Sequence, residues 1–220
     1  MNYKLIYYPL KPFEIKEGLN FISIEPKNIL FNFITGLQVD DDSLTVVKNE
    51  TIINKKQDIL FIGDVTNDFD LNHVYSKIAE KRMMGLMSET DIKEIITLNS
   101  KMESFLNQFI INNNLPLISE KHFDLDRILK NQNFKIEEKV MNTAYDKIQN
   151  VIDIASEFND ERLLVFTNAC KYLAKEQVDY LSNNIKLQEI TVVFIEASTK
   201  KMTAESATSS HFIDNDFIEF

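Results

Sequence analysis

Residues Leu163 to Val178, LLVFTNACKYLAKEQV, have the pattern of a buried strand that runs through a short loop into a helix. In nucleotide-binding α/β proteins this junction binds phosphate, because glycines let backbone amides converge on the anion and a lysine stands beside a Ser or Thr. Between Asn168 and Lys171 there is no glycine and no such pair. The junction therefore predicts the scaffold of a nucleotide site without its chemistry, and we expect no nucleotide cofactor.

Basic side chains are the second candidate feature, and they collect in the middle of the chain. In chain order they are Lys77, Lys81, Arg82, Arg127, Lys130, Lys135 and Lys139. On helices they could form one positive stripe, although composition alone favours ordinary solvated side chains. Acids and bases balance at seven each between Lys101 and Asn150, whereas acids outnumber bases by twelve to six from Val151 onward. Any anion-binding surface is therefore expected before residue 150.

The segment KIEEK, Lys135 to Lys139, places Glu137 and Lys139 at an acid-x-Lys spacing after a possible strand, FKIE. Metal-dependent nucleases use such a pair, since the carboxylate binds the metal and the lysine stabilises developing charge. Asp124 and Asp126 lie upstream. In a chain rich in Glu and Lys the spacing also arises by chance, so a solvated strand end is the alternative.

Other ligand-type residues are scattered. DFDLN, Asp68 to Asn72, imitates the first ligands of a calcium loop, but His73 occupies the required glycine position, which favours a turn and a helix cap. The three histidines are isolated, and Cys170 is the only cysteine, so no internal disulfide and no cysteine zinc site can form. This composition fits a reducing cytoplasm.

The overall composition is that of a folded, acidic protein. With 220 residues, of which 44% are hydrophobic, the chain can bury a substantial core. A net charge of −10 argues against a general nucleic-acid or membrane coat but allows a locally basic surface. No apolar run approaches the length of a membrane span, and the N-terminal run is too short for a signal peptide. We expect a soluble cytoplasmic protein that does not bind membranes.

Three continuous apolar runs predict strands that are covered on both faces, as in a parallel sheet: Ile59–Ile62, Leu163–Phe166 and Ile190–Ile195. A helical pattern between the second and third runs completes a βαβ unit. Near the N-terminus, LIYY and FISI are predicted to form an added hairpin, followed by a helix from about Pro26 to Leu37. TAESATSS, before His211, is expected to be an exposed loop that also contains Ser210.

The middle of the chain is predicted to be helical. A long amphipathic helix follows Ser88, whose side chain can form a capping box with Asp91, and a second helix is expected from about Val140 to Phe158. The sheet strands lie on both sides of this block. The prediction is therefore an α/β head made of residues 1–75 and 140–220, with a helical extension at 76–139.

Several segments together resemble one protein family. LLVFTNACKYLAKEQVDYL followed by ITVVFIEA, the segment DILFIGDVTNDFDLN, and the closing FIDNDFIEF are similar to the CRISPR-associated adaptation protein of type II-A systems, in its short form. The resemblance covers nearly the whole chain, and the order of long helices in the middle also agrees. It implies a mainly parallel α/β head that resembles nucleotide-hydrolase folds but lacks their phosphate loop.

The resemblance also implies a function without catalysis. Members of that family form a homotetrameric ring with a basic interior, bind the ends of double-stranded DNA, and assist spacer acquisition beside an integrase pair and an RNA-guided nuclease. The DNA-binding residues would then be Lys77, Lys81, Arg82, Arg127, Lys130 and Lys135. Bound calcium steadies the family's ring, and Glu120, Asp124 and Asp126 are the acids that remain in the corresponding region.

Two other functions stay open at this point. One is a metal-dependent DNA nuclease that uses Glu137 and Lys139, and the other is a protein-interaction module with no role on DNA. The family pattern also has Gly and Thr where this chain has Cys170 and Ala174, so the helix after the loop is expected to lack a side-chain cap.

Overall fold

The computed structural model of the chain describes residues 2–39, 43–118, 123–137, 139 and 141–216. The described chain forms two compact units, one made of Met1–Phe69 with Lys139–Phe220 and the other of Asp70–Glu138. The sequence placed the corresponding boundaries at 75/76 and 139/140. The two units are called the α/β unit and the helical unit below.

The strands and helices are numbered in chain order. The strands are β1 (Asn2–Ile6), β2 (Phe13–Lys16), β3 (Gly18–Ile24), β4 (Thr45–Lys48), β5 (Thr51–Ile52), β6 (Ile59–Gly63), β7 (Leu163–Thr167), β8 (Thr191–Ala197) and β9 (Ser209–Ile213). The helices are α1 (Lys27–Gln38), α2 (Lys55–Asp58), α3 (Leu71–Leu86), α4 (Glu89–Asn112), α5 (Leu125–Asn131), α6 (Ala144–Glu157) and α7 (Lys175–Leu187).

A five-stranded parallel sheet in the order β6-β7-β8-β3-β9 forms the centre of the α/β unit. The three predicted apolar runs are strands of this sheet, and α7 connects two of them as expected. Aromatic rings fill its middle, where Phe166 and Phe194, and Phe194 and Phe21, meet edge to face at 5.6 and 5.7 Å between centroids. The predicted α/β class with a mainly parallel sheet is confirmed.

The predicted N-terminal hairpin is wrong in its second strand. β1 pairs with β2 and β4 in a small antiparallel sheet, whereas FISI belongs to β3 in the parallel sheet. Every residue of β3 is buried, and even Asn20 is enclosed, where its side-chain amide donates to the carbonyls of Lys16, Gly18 and Val192. A strand that is covered on both faces needs a central position, which a terminal hairpin cannot provide.

The expected exposed loop near His211 is partly wrong. Ser209–Ile213 forms the edge strand β9, which pairs in parallel with β3. Ser209 to Phe212 are half-buried and Ile213 is fully buried, and among the described residues β9 is the edge strand of the sheet. Residues 203–208 remain outside helices and strands.

The helical unit contains α3, α4 and α5. Ser88 and Asp91 form the predicted capping box at the start of α4. Hydrogen bonds from the hydroxyl and the backbone N–H of Ser88 lower the pKa of the Asp91 carboxyl. Helix α6, in the α/β unit, begins at Ala144 rather than at Val140, because Thr143 and Asp146 form its own capping box.

None of the described helices combines the length and the apolar composition that crossing a bilayer requires.

Candidate nucleic-acid interface

Helix α3 presents the first group of predicted DNA-binding residues. Asp70 caps the helix by accepting a hydrogen bond from the backbone N–H of His73, so DFDLN is the predicted turn and cap. Lys77 and Lys81 are four residues apart and therefore lie on one face, with Arg82 about 100° further around the helix. All three side chains are exposed, and none forms a salt bridge with another described residue. Their charges are therefore available to a ligand.

Helix α5 carries the second group and packs against α3. Arg127 is exposed and forms no salt bridge within the described ranges. Lys130 instead donates a hydrogen bond to Asp126 of the same helix. That bond raises the pKa of Lys130, and the charges of Glu80 and Asp124 add to the effect. Lys130 is thus largely compensated by its own surroundings, whereas Arg127 is not.

Lys135 lies in the segment of residues 133–137, where the strand FKIE was predicted. That prediction is wrong, since these residues are neither strand nor helix. A hydrogen bond of 2.6 Å, from the backbone N–H of Ile136 to Asn72 Oδ1, holds the segment against the first turn of α3. Lys135 is exposed beside this contact. The helical unit therefore has basic side chains on α3, on α5 and in the segment that follows α5 and contacts α3.

The predicted calcium ligands are only partly within the described residues. Glu120 lies outside them. Asp124 caps α5 by accepting from the backbone N–H of Arg127 at 3.1 Å, and Asp126 pairs with Lys130. Among the described residues no group of three His, Cys, Asp or Glu side chains is close enough to hold a metal ion. A calcium site that includes Glu120 stays a prediction.

The junction after β7 has no phosphate loop. Asn168 has a left-handed backbone conformation, with φ of 53°, and a 3-10 turn at Ala169–Lys171 follows it. The backbone N–H of Cys170 donates to Glu196 Oε1 at 3.0 Å. The hydrogen-bond acceptor for this amide is therefore a carboxylate of the same chain. Sequence analysis missed Glu196, although an acid inside the apolar run ITVVFIEA was a visible signal.

Burial dominates the electrostatics of this junction. It raises the pKa of the Glu196 carboxyl, while the N–H groups of Cys170 and Ala169, the Cys170 thiol and the charge of Lys171 act in the opposite direction. Burial also raises the pKa of the Cys170 thiol, and the charge of Glu196 adds to this. The thiol therefore stays protonated at neutral pH and reacts slowly.

With this geometry established, comparison with known proteins decides the family. The family model for "CRISPR-associated protein (Cas_Csn2)" matches residues 34–217. The chain belongs to the Cas_Csn2 family. The CRISPR-associated protein Csn2 of Enterococcus faecalis is 22% identical over 134 residues, which are 60% of this chain and 58% of that protein. The crystal structure of Stu0660 of Streptococcus thermophilus aligns with a TM-score of 0.54 and 11% identity, over 89% of this chain and 68% of that one.

For this Cas_Csn2 chain, the nuclease alternative finds little support in the geometry. Lys139, its proposed catalytic lysine, lies 3.6 Å from Asp153 of α6 in a salt bridge. Glu137 is exposed in the segment of residues 133–137, and the upstream carboxylates of Asp124 and Asp126 already cap a helix and pair with Lys130. A two-carboxylate metal site with a free lysine is therefore not assembled by the residues described.

The same Cas_Csn2 chain has an unusual exposed surface on α4. No residue of this 24-residue helix is buried. Five large apolar side chains lie within about 100° of arc, because their spacing follows the helical repeat. These residues, called the α4 stripe below, are Leu98, Met102, Phe105, Leu106 and Phe109. Exposed apolar stripes of this kind are typical of surfaces that pack against another protein surface.

Proposed function

We propose that this Cas_Csn2 protein binds the ends of double-stranded DNA as a homotetrameric ring, without enzymatic activity, and so supports spacer acquisition in CRISPR immunity. Its partners would be DNA ends, an integrase pair and an RNA-guided nuclease, in the cytoplasm. The observation that carries the proposal is the set of exposed basic side chains on the helical unit of an acidic chain, above all Lys77, Lys81 and Arg82 without salt-bridge partners among the described residues.

Symmetry explains how an acidic protein could hold DNA. A chain of net charge −10 attracts a phosphate backbone only if its few free cations act together. A closed ring presents each cation four times to one duplex, while the outer surface stays acidic. The α4 stripe supports oligomer formation, since it gives each copy an apolar surface along a helix of about 36 Å. Calcium bound near Glu120, Asp124 and Asp126 would steady this assembly.

The proposed contacts go to phosphate, which determines how binding should respond to salt and sequence. Affinity should be independent of base sequence and should fall by about 0.9 log unit per log unit of salt for each phosphate neutralised. A preformed ring admits duplex only at an end. A linear fragment should therefore compete for the protein, and a relaxed circle of the same sequence at equal base-pair concentration should not.

Charge reversal locates the binding face. Lys77→Glu with Lys81→Glu should weaken binding and reduce the salt slope, whereas Lys93→Glu should not, because Lys93 is an exposed lysine of the same unit that already pairs with Glu89 at 3.8 Å. Equal competition by circle and linear DNA would mean an outer binding surface or an opening ring. Shortening of the DNA in magnesium would instead establish the nuclease, and an absence of any mobility shift would favour the protein-interaction module.

A further inference from the structure

The loop between β7 and α7 is attached to both neighbours of β7 at the carboxyl edge of the parallel sheet. On one side, the Tyr172 hydroxyl donates to Asp64 Oδ2 at 3.1 Å, just after β6. On the other side, the Cys170 backbone N–H donates to Glu196 near the end of β8. The two attachments hold the loop closed over the edge at which parallel α/β folds bind ligands.

Glu196 is the more enclosed of the two attachments. Glu196 is only 3% exposed to solvent. The carboxylate accepts from the backbone N–H of Cys170 at 3.0 Å, and the N–H of Ala169 also lowers the pKa of the carboxyl. These are consecutive amides after a residue in the left-handed conformation. Consecutive amides in this kind of turn form a small concave binding site for an anionic oxygen.

We propose that Glu196 is an internal ligand of this loop: its carboxyl group occupies the position at which the two amides could hold an anion, and it keeps the carboxyl edge of the sheet closed. The loop is thereby ordered without any bound molecule. A phosphate-bearing ligand would have to displace an acceptor that is covalently attached at the site, and whose effective concentration is therefore high. The proposal gives a physical reason for the absence of nucleotide binding that the sequence predicts.

The proposal depends on a hydrogen-bond acceptor rather than on a negative charge, and two substitutions separate these properties. Glu196→Ala removes the acceptor of the Cys170 N–H and leaves that amide unpaired, which opens the loop. Glu196→Gln removes the charge but retains Oε1 as an acceptor of nearly the same shape, so the loop stays closed. The Gln variant is therefore the matched control for the Ala variant.

Two readouts report loop opening in the full chain. Hydrogen exchange measures protection of the Ala169 and Cys170 amides, and a disulfide reagent reports only on Cys170, the sole cysteine. In the Ala variant both rates should rise by about five- to a hundredfold, the range expected for a lost buried acceptor. In the Gln variant they should stay close to those of the parent. Formate, a free carboxylate of the size removed, should slow both rates in the Ala variant and leave the Gln variant unchanged.

Three results would overturn the proposal. They are parental rates in the Ala variant, equal acceleration in both variants, and acceleration in the Ala variant that formate does not reverse. If the Ala variant fails to fold, the parent and the Gln variant decide the question. Retained protection of both amides in these two proteins supports the internal ligand, and exchange at the rate of an open loop in either one refutes it.

Discussion

Phe105, at the centre of the α4 stripe, offers a direct test of the proposed oligomer. We expect Phe105→Asp to break the interface between copies while the single chain stays folded. The phenyl group of Phe105 is exposed and is not part of the hydrophobic core of the chain. The side chain is 68% exposed in the single chain. A charge at this position would have to be desolvated in any apolar contact between two copies.

The expected magnitude follows from that exposure. A phenylalanine can bury about 200 Å², so 68% exposure leaves about 130 Å² available to a partner. At about 25 cal/mol per Å² this area corresponds to about 3 kcal/mol, and a twofold interface contains the residue twice, which gives about 6 kcal/mol. Ordering of side chains on association reduces the figure. We therefore expect the dissociation constant to rise by at least about a hundredfold.

The assay is the mass in solution, measured by light scattering across a dilution series. Ser104→Asp is the matched control, because it adds the same charge at the adjacent exposed position, outside the stripe. The parent and the control should share one mass, and Phe105→Asp should have a lower mass with an unchanged far-ultraviolet circular dichroism spectrum. If Phe105→Asp keeps the parental mass, the stripe is not the interface and the argument from exposed apolar area is wrong.

Three further expectations concern stability. Ala174 offers no side-chain acceptor at the start of α7, so Ala174→Ser should raise the free energy of unfolding by about 0.5–2 kcal/mol in denaturant melts, and an unchanged midpoint would mean that the first turn is already satisfied. The pKa of Glu196 is raised in the folded state, so its contribution to stability should decline as pH rises above the ordinary carboxyl pKa of 4.5. The difference in free energy of unfolding between Glu196→Gln and the parent should therefore grow as pH rises above 4.5, and a difference that is constant from about pH 4 upward would contradict the burial argument. If calcium binds near Glu120, Asp124 and Asp126, a chelator should lower the melting temperature and the oligomeric mass, whereas identical values with and without chelator would exclude the ion from the assembly.

The sequence was sufficient for elements whose signals are local. β6, β7 and β8 are continuous apolar runs, and α4 begins at the predicted capping box of Ser88 and Asp91. The capping box of Thr143 and Asp146 is equally local, but the predicted start of α6, Val140, lies four residues before the observed one. β3 has the same apolar character, but its partners β8 and β9 come from the far end of the chain. Proximity in sequence to LIYY favoured a hairpin, and no local pattern could reveal the distant pairing.

The candidate sites divide in the same way. The capping role of Asp70 and the pair of Asp126 with Lys130 depend on residues within four positions, so a sequence can suggest them. The pairing of Lys139 with Asp153 and the contact of Glu196 with Cys170 depend on the tertiary fold. Glu196 illustrates the limit. A charged residue in an apolar strand indicates that a hydrogen-bond partner exists, but the sequence does not identify that partner.

The central position of β3 also determines when the parallel sheet can form during synthesis. Gly18 pairs with Thr191, and Asn20 pairs with Ser209. β3 is therefore synthesised early but can pair only after β8 and β9 have been synthesised. Until then β3 lacks both of its paired neighbours, β8 and β9, and the sheet cannot close around it. We expect nascent chains that end before β8 to be protease-sensitive in the α/β unit and to bind chaperones, and this sensitivity should be lost once β9 has left the ribosome.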